Sequence, residues 1–189
     1  MVIFRELIME IVKVINKKNE YKRIKALYLE AFPPEERAPF HMMKSRAKRK
    51  KADCWNFIED GKWIGFAYVI SYENLAYLFY FAIDEKLRGN GYGSTAIKAI
   101  ADKYQDKKFF LALENWREEA DNSTQRIKRH EFYKKNGMKD LPYKLKEAGV
   151  VYVLMGNGDK IEPEEYRLLI DNWLGFPLKL IRDMEILKE

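Results

Sequence analysis

Residues 75–104 read Leu75-Ala-Tyr-Leu-Phe-Tyr-Phe-Ala-Ile83, then Asp84-Glu-Lys-Leu-Arg88-Gly89-Asn90-Gly91-Tyr92-Gly93-Ser94, then Thr95-Ala-Ile-Lys-Ala-Ile-Ala-Asp-Lys-Tyr104. The first nine residues carry no charge, which suits a strand buried on both faces, although periodicity alone also allows a buried helix. The last ten set Ile97, Ile100, Ala101 and Tyr104 at i, i+3, i+4 and i+7, one apolar stripe of an amphipathic helix. Between them three glycines fall within five residues. Glycine there lets the backbone take positive φ and lets a ligand come close to the main chain. The helix that follows turns its unpaired N–H groups and the positive end of its dipole back into this turn, so the turn is expected to attract an anion such as phosphate. Arg88 adds a cation beside it.

The spacing decides between several nucleotide-binding designs. Gly89, Gly91 and Gly93 spell G-x-G-x-G, which lacks the last interval of the dinucleotide fingerprint, and no G-K-[ST] follows as a P-loop requires. Arg88, Gly91 and Gly93 do spell R-x-x-G-x-G directly after an uncharged strand. About forty residues on stands Phe132-Tyr133-Lys134-Lys135-Asn136-Gly137-Met138. In these two segments the chain resembles the GNAT superfamily of acyl-CoA-dependent N-acetyltransferases, whose first motif wraps the pyrophosphate of coenzyme A and whose second reads F-Y-x-x-x-G-F; Met138 replaces the last Phe. The resemblance covers roughly residues 10–158. It implies the GNAT fold: an α/β (α+β) architecture with a mixed, mostly antiparallel central sheet and helices on both faces, here followed by a C-terminal helical extension over 159–189.

Length and composition agree with a compact fold. A chain of 189 residues suits one domain with a substantial core, and 47% hydrophobic with 14% aromatic residues argues against disorder. No apolar run of about 18 residues is present, so no membrane span is expected. The first ten residues are interrupted by Arg5 and Glu6 and do not read as a secretory signal. Cys54 is the sole cysteine, which rules out an intramolecular disulfide and suits a reducing, cytoplasmic setting. The net charge of +6 is moderate and is served as well by anionic coenzyme A as by nucleic acid.

Along the chain, residues 9–15 alternate as a first strand, and the residues before them read as a leader or as more of that strand. Tyr21, Ile24, Tyr28 and Ala31 mark a helix over 19–32, capped by Asn19 and ended by Pro33-Pro34. Residues 44–51 hold six cations; a solvated helix face is the simpler reading, and with no aromatic platform in the run nucleic acid is not expected as a partner. Strands over 53–58 and 62–71 flank Asp60-Gly61, a hairpin signal, and the strand over 75–83 completes a meander. The apolar run 107–113 follows the helix at the length of a parallel crossover. Asn122 with Gln125 reads as a capping box and Gly137 as a helix stop. Strands over 141–145 and 150–155 come next. Beyond Gly158, Pro163 and the stripe Tyr166, Leu169, Ile170, Trp173 give a helix ended by Gly175, and 176–187 is again apolar-rich, so the tail is expected to pack on its own sheet or on a second subunit as a homodimer.

Amine acylation by a thioester needs a neutral amine, a stabilised oxyanion and a protonated leaving thiolate. The resemblance assigns the backbone of Phe81, Ala82 and Ile83 to oxyanion and pantetheine binding, and Arg88, Gly89, Asn90, Gly91, Tyr92, Gly93 and Ser94 to the pyrophosphate. Tyr133 matches the family's general acid. A phenol near pKa ~10 serves that role when close to the thiolate; an ordinary buried tyrosine is the alternative. Glu114, at the end of the 107–113 strand, is the candidate base, directly or through water, with Glu73, Glu36 and Tyr80 as alternatives. Before its tyrosine the family often has Asn and Ala where this chain has Arg126 and Arg129; these are read as phosphate contacts, contacts to an acidic acceptor, or solvated residues. The pantetheine contact would then come from Asn122 or Asn115. Glu36, Arg37 and Tyr80 are assigned to the acceptor, a small-molecule or peptide amine. His41 and His130 read as surface residues, Cys54 as a buried strand thiol, and no metal pattern is visible. Together these give an N-acetyltransferase that uses acetyl-CoA and transfers to a primary amine in a ternary complex. The rivals are a coenzyme A-binding module without catalysis and an RNA- or ribosome-associated protein using the basic segment 44–51.

Overall fold

The computed structural model describes residues 9–15, 18–147, 149–158, 160–180 and 184–188. The leader expected before the first strand lies outside them. In chain order the elements are β1 (Glu10–Lys13), α1 (Lys18–Ala31), α2 (Phe40–Lys48), β2 (Ala52–Glu59), β3 (Lys62–Tyr72), β4 (Leu75–Ile83), α3 (Tyr92–Lys103), β5 (Lys108–Glu114), α4 (Ser123–Lys135), β6 (Lys139–Glu147), β7 (Val150–Gly156), α5 (Pro163–Leu174) and β8 (Met184–Lys188). The strands follow the order β1-β2-β3-β4-β5-β7-β6-β8, a mixed and mostly antiparallel sheet in which β4 and β5 run parallel. The chain divides into two compact units: one takes the described residues up to Val69 with Tyr80–Lys103, the other takes Ile70–Phe79 and the described residues from Tyr104 on.

In the first unit β1 pairs antiparallel with β2 from Glu10–Ile58 to Lys13–Trp55. Asp60 (φ 47°) and Gly61 (φ 72°) join β2 to β3 with positive φ at both central positions, the turn that Asp-Gly favours because its twist matches the strands. Helix α1 buries Tyr21, Ile24, Leu27 and Tyr28, and α3 buries Ala96, Ile97 and Ile100. Ile24, Ile97 and Ile100 are fully buried, each contributing about 1.5–3 kcal/mol by leaving water. Asn19 is not the cap of α1: Lys18 is already helical. Two cross-element distances matter for the site. A Cβ on Gly65 of β3 would stand 2.2 Å from the Ala82 carbonyl oxygen, and the Asp84 N–H donates to the Ile64 carbonyl at 2.9 Å. Only glycine lets β3 come this close to the end of β4.

In the second unit the parallel β4–β5 register runs from Leu75–Lys108 to Leu78–Leu111. On its other side β5 pairs with β7 along its length, from Phe110–Gly156 to Glu114–Tyr152. Helix α5 buries Tyr166, Leu169, Ile170 and Trp173, the expected stripe, with Tyr166 against Tyr77 (5.6 Å) and Trp173 against Phe79 (5.2 Å). Its start is a capping box that sequence inspection passed over: Glu162 and Glu165 satisfy each other's backbone N–H. The box expected at Asn122 and Gln125 does not form, since Asn122 occupies the N-cap position without a side-chain cap bond. The tail is more than helical: β8 pairs antiparallel with β6 from Glu147–Met184 to Tyr143–Lys188 and covers its edge.

Candidate active site

In the first unit the glycine turn lies between the end of β4 and α3. Gly89 (φ 82°) and Gly91 (φ 83°) both adopt the left-handed conformation, with no atom within 4 Å of the Cβ each would carry if substituted. The turn is therefore bent by backbone conformation and open to a ligand. Gly93 sits in the first turn of α3 without positive φ. Arg88 donates from Nε to the Ile83 carbonyl at 3.1 Å, which ties the turn to β4, and it remains exposed. Asn90 turns inward, its Nδ2 donating to the Leu87 and Arg88 carbonyls at 3.2 and 3.3 Å. Tyr92 and Ser94 are half-buried in the first turn of α3, whose N–H groups face the turn. This arrangement fits a pyrophosphate: a concave main chain, a helix N-terminus and an exposed guanidinium.

Ala82 and Ile83 are buried and Phe81 is half-buried against Phe57 at 5.7 Å, so their side chains are core and only their main chain is left to serve a ligand. Gly65 sets the position of this segment and was missed in the sequence; an isolated glycine inside an apolar strand was the available signal.

Glu36, Arg37 and Tyr80 come together. The Tyr80 hydroxyl accepts from the Ala38 N–H and donates to the Glu36 carbonyl, both at 2.8 Å. Arg37 donates from Nε to the Phe32 carbonyl at 2.5 Å and from Nη2 to the Leu29 carbonyl at 2.7 Å, closing the C-terminal end of α1.

In the second unit Glu114 is buried at the end of β5. Arg126 reaches its Oε1 at 2.7 Å, Arg129 its Oε2 at 3.3 Å, and Asn122 Nδ2 lies 3.4 Å from both oxygens. Asn122 in turn accepts from Arg126 Nε at 2.7 Å. Of the roles considered for the two arginines, contact to phosphate, contact to an acidic acceptor or solvated residue, Arg129 keeps a partly exposed side chain, and both guanidinium groups bind the Glu114 carboxylate. Asn115 is also buried, and its side chain accepts from the Arg117 N–H at 3.2 Å. Tyr133 on α4 is buried, and its hydroxyl bonds to none of the described residues. Burial pushes its phenol well above the usual range, the Arg129 charge pulling the other way. His130 is a correction: it is buried rather than superficial, stacked on Trp116 at 4.5 Å with Nε2 2.8 Å from Asp140 Oδ1. A helix turn that packs on the core takes its histidine with it, whatever its polarity. Cys54 is buried on β2, its thiol pushed up to about 12 by burial and then by the charges of Glu20 and Asp53, so it holds its proton. Among the described residues no cluster of metal-ligating side chains occurs, and no helix is long and apolar enough to cross a membrane.

The sequence model of the acetyltransferase (GNAT) family matches residues 21–138, and the chain belongs to that family, whose acyl donor is acetyl-CoA. Among solved structures, the chain is similar to a putative GNAT acetyltransferase from Bacteroides thetaiotaomicron, at 20% identity over 90% of this chain and 98% of that one, with a TM-score of 0.73. It is also similar to a Bacillus subtilis acetyltransferase in complex with CoA (14% identity, 78% and 97% covered, TM-score 0.56). A third is the ribosomal-protein-S18-alanine N-acetyltransferase of Escherichia coli (15%, 83% and 97%, 0.57). At these identities the likeness is one of fold. No curated protein matches the sequence.

Proposed function

We propose that the chain transfers an acetyl group from acetyl-CoA to a primary amine, in the cytoplasm, by direct attack of the amine on the thioester. The observation that carries this is the turn 88–94, left-handed at Gly89 and Gly91 and open around both, set at the N-terminus of α3. Acetyl-CoA supplies the activated carbonyl and a thiolate leaving group. Arg88 and the main chain of 89–94 hold the pyrophosphate. Main-chain N–H groups of Phe81–Ile83 pair with the extended arm and offer a donor to the developing oxyanion. Tyr133, whose raised phenol keeps its proton at neutral pH, hands that proton to the leaving sulfur. Glu114 takes the amine proton through water, because its oxygens already accept from two guanidinium groups and an amide. Asn122 holds Glu114 and Arg126, and Glu36, Arg37 and Tyr80 shape the acceptor side.

Calorimetric titration with acetyl-CoA tests this. Saturable 1:1 binding by the wild type and its loss in Gly91→Glu, which sets a carboxylate and a Cβ into the open turn, is the expected outcome. No binding by the folded wild type overturns it. A coenzyme-binding module without turnover is the rival, and it is separated by screening amines: acetylated product that disappears in Tyr133→Phe removes it.

A further inference from the structure

The first unit holds a second concave feature, between α1 and α2. It is an open cleft of about 620 Å³ lined by the cations Lys18, Lys22, Lys25, Arg37 and Lys44 and by His41. None of the residues lining it is acidic. Lys18, Lys22 and Lys25 stand at i, i+4 and i+7, on one face of α1. They are exposed and have no ion-pair partner among the described residues. Lys44 reaches across from α2, its Nζ 4.9 Å from the centre of the Tyr21 ring.

The walls are fixed by groups other than these lysines. Phe40 at the start of α2 packs on Tyr21 (6.2 Å) and Tyr28 (5.8 Å) of α1. The Tyr28 hydroxyl donates to the Ala38 carbonyl at 2.9 Å, and the Ala38 N–H donates to Tyr80 at 2.8 Å. Several like charges around one hollow repel each other, and no carboxylate in its lining offsets them.

We infer that the α1–α2 cleft is a binding site for a small polyanion, a molecule with two or more closely spaced carboxylate or phosphate groups. The volume falls within the range of small-molecule sites, roughly 300–1,000 Å³. Lysine suits either anion, because an ammonium is a point charge without the fixed fork of arginine. The aromatic floor accepts an apolar portion of the ligand. The wall of the cleft is bonded to Tyr80, so an occupant also bears on β4 one residue before Phe81.

The full chain is titrated with pyrophosphate and with citrate, as the wild type, Lys22→Glu/Lys25→Glu, Lys128→Glu/Lys135→Glu and Gly91→Glu. The expected result is 1:1 binding that remains in Gly91→Glu, where the glycine turn is blocked, and roughly tenfold or greater weakening at that site in Lys22→Glu/Lys25→Glu. Affinity survives in Lys128→Glu/Lys135→Glu, which makes the same charge change on α4, and in Gly91→Glu, which blocks the other anion site. Preference for pyrophosphate identifies a phosphate ligand, and preference for citrate a carboxylate one. Equal weakening in both double variants overturns the site in favour of general charge, and loss in Gly91→Glu alone reassigns the anion to the glycine turn. Tight binding of single-stranded RNA with none of either small anion also overturns it. If polyanions fail while acetyl-CoA still binds, the cleft is refuted and the acetyltransferase reading stands; loss of acetyl-CoA binding alone does the reverse.

Discussion

Tyr133 and Glu114 stand in opposite circumstances. The tyrosine is buried, with a hydroxyl that has no partner among the described residues, whereas the carboxylate is saturated by partners. Removing the hydroxyl therefore costs little structure: Tyr133→Phe is expected to keep the wild-type melting temperature and acetyl-CoA affinity while kcat falls roughly 100- to 10,000-fold, the usual worth of a positioned proton donor. A purely structural tyrosine gives no kcat loss. Glu114→Ala behaves otherwise. It leaves Arg126, whose side chain is 13% exposed, without its counter-charge. Denaturant unfolding is expected to show a loss of about 3 kcal/mol. Stability equal to wild type shows that the arginines find other partners.

At the scale of elements, two features set the site. Where β3 passes β4, Gly65→Ala drives a methyl into the Ala82 carbonyl. One strand must move, at a cost of about 1–3 kcal/mol, and because the moving segment carries Phe81–Ile83, acetyl-CoA affinity is expected to fall with stability. Full affinity in Gly65→Ala separates that segment from the coenzyme. The start of α5 is held by Glu165, which accepts from Lys108 Nζ at 2.8 and 2.9 Å and from the Glu162 N–H at 2.8 Å. Burial pushes its carboxyl up, but the Lys108 and Glu162 hydrogen bonds outweigh it and the group lies below its ordinary value. A depressed carboxyl stabilises the fold above its unfolded pKa, about 4.3, and that contribution disappears as pH falls through the folded value. Glu165→Gln is expected to cost about 1 kcal/mol at pH 7, the scale of a lost cap, and the gap from wild type closes in acid. A gap independent of pH shows that charge plays no part.

For the whole molecule, β8 decides how the sheet ends. By pairing with β6 over Tyr143–Glu147 it covers an edge that would otherwise present open N–H and C=O groups. Deleting residues 181–189 is expected to produce stronger concentration-dependent association in sedimentation velocity than the full chain shows. A truncated chain that associates no more than the full chain removes the edge-covering role.

Much of this was legible in one dimension. The glycine turn, the uncharged strand before it, the Asp60-Gly61 hairpin and the stripe of α5 are local signals, because backbone conformation and helical periodicity are set within a few residues. Polar side chains were harder to place. Whether Asn122 capped a helix or held a carboxylate, whether Arg126 faced phosphate or Glu114, and whether His130 lay in water or on Trp116 depended on which distant segment arrived beside each. The sequence by itself determined the family, most of the elements though not β8, and the anion-attracting turn. Only the tertiary structure decided the partners of Glu114, the requirement for Gly65 and the gathering of α1 and α2 lysines around one hollow, since each joins residues far apart in the chain whose pairing no local pattern encodes.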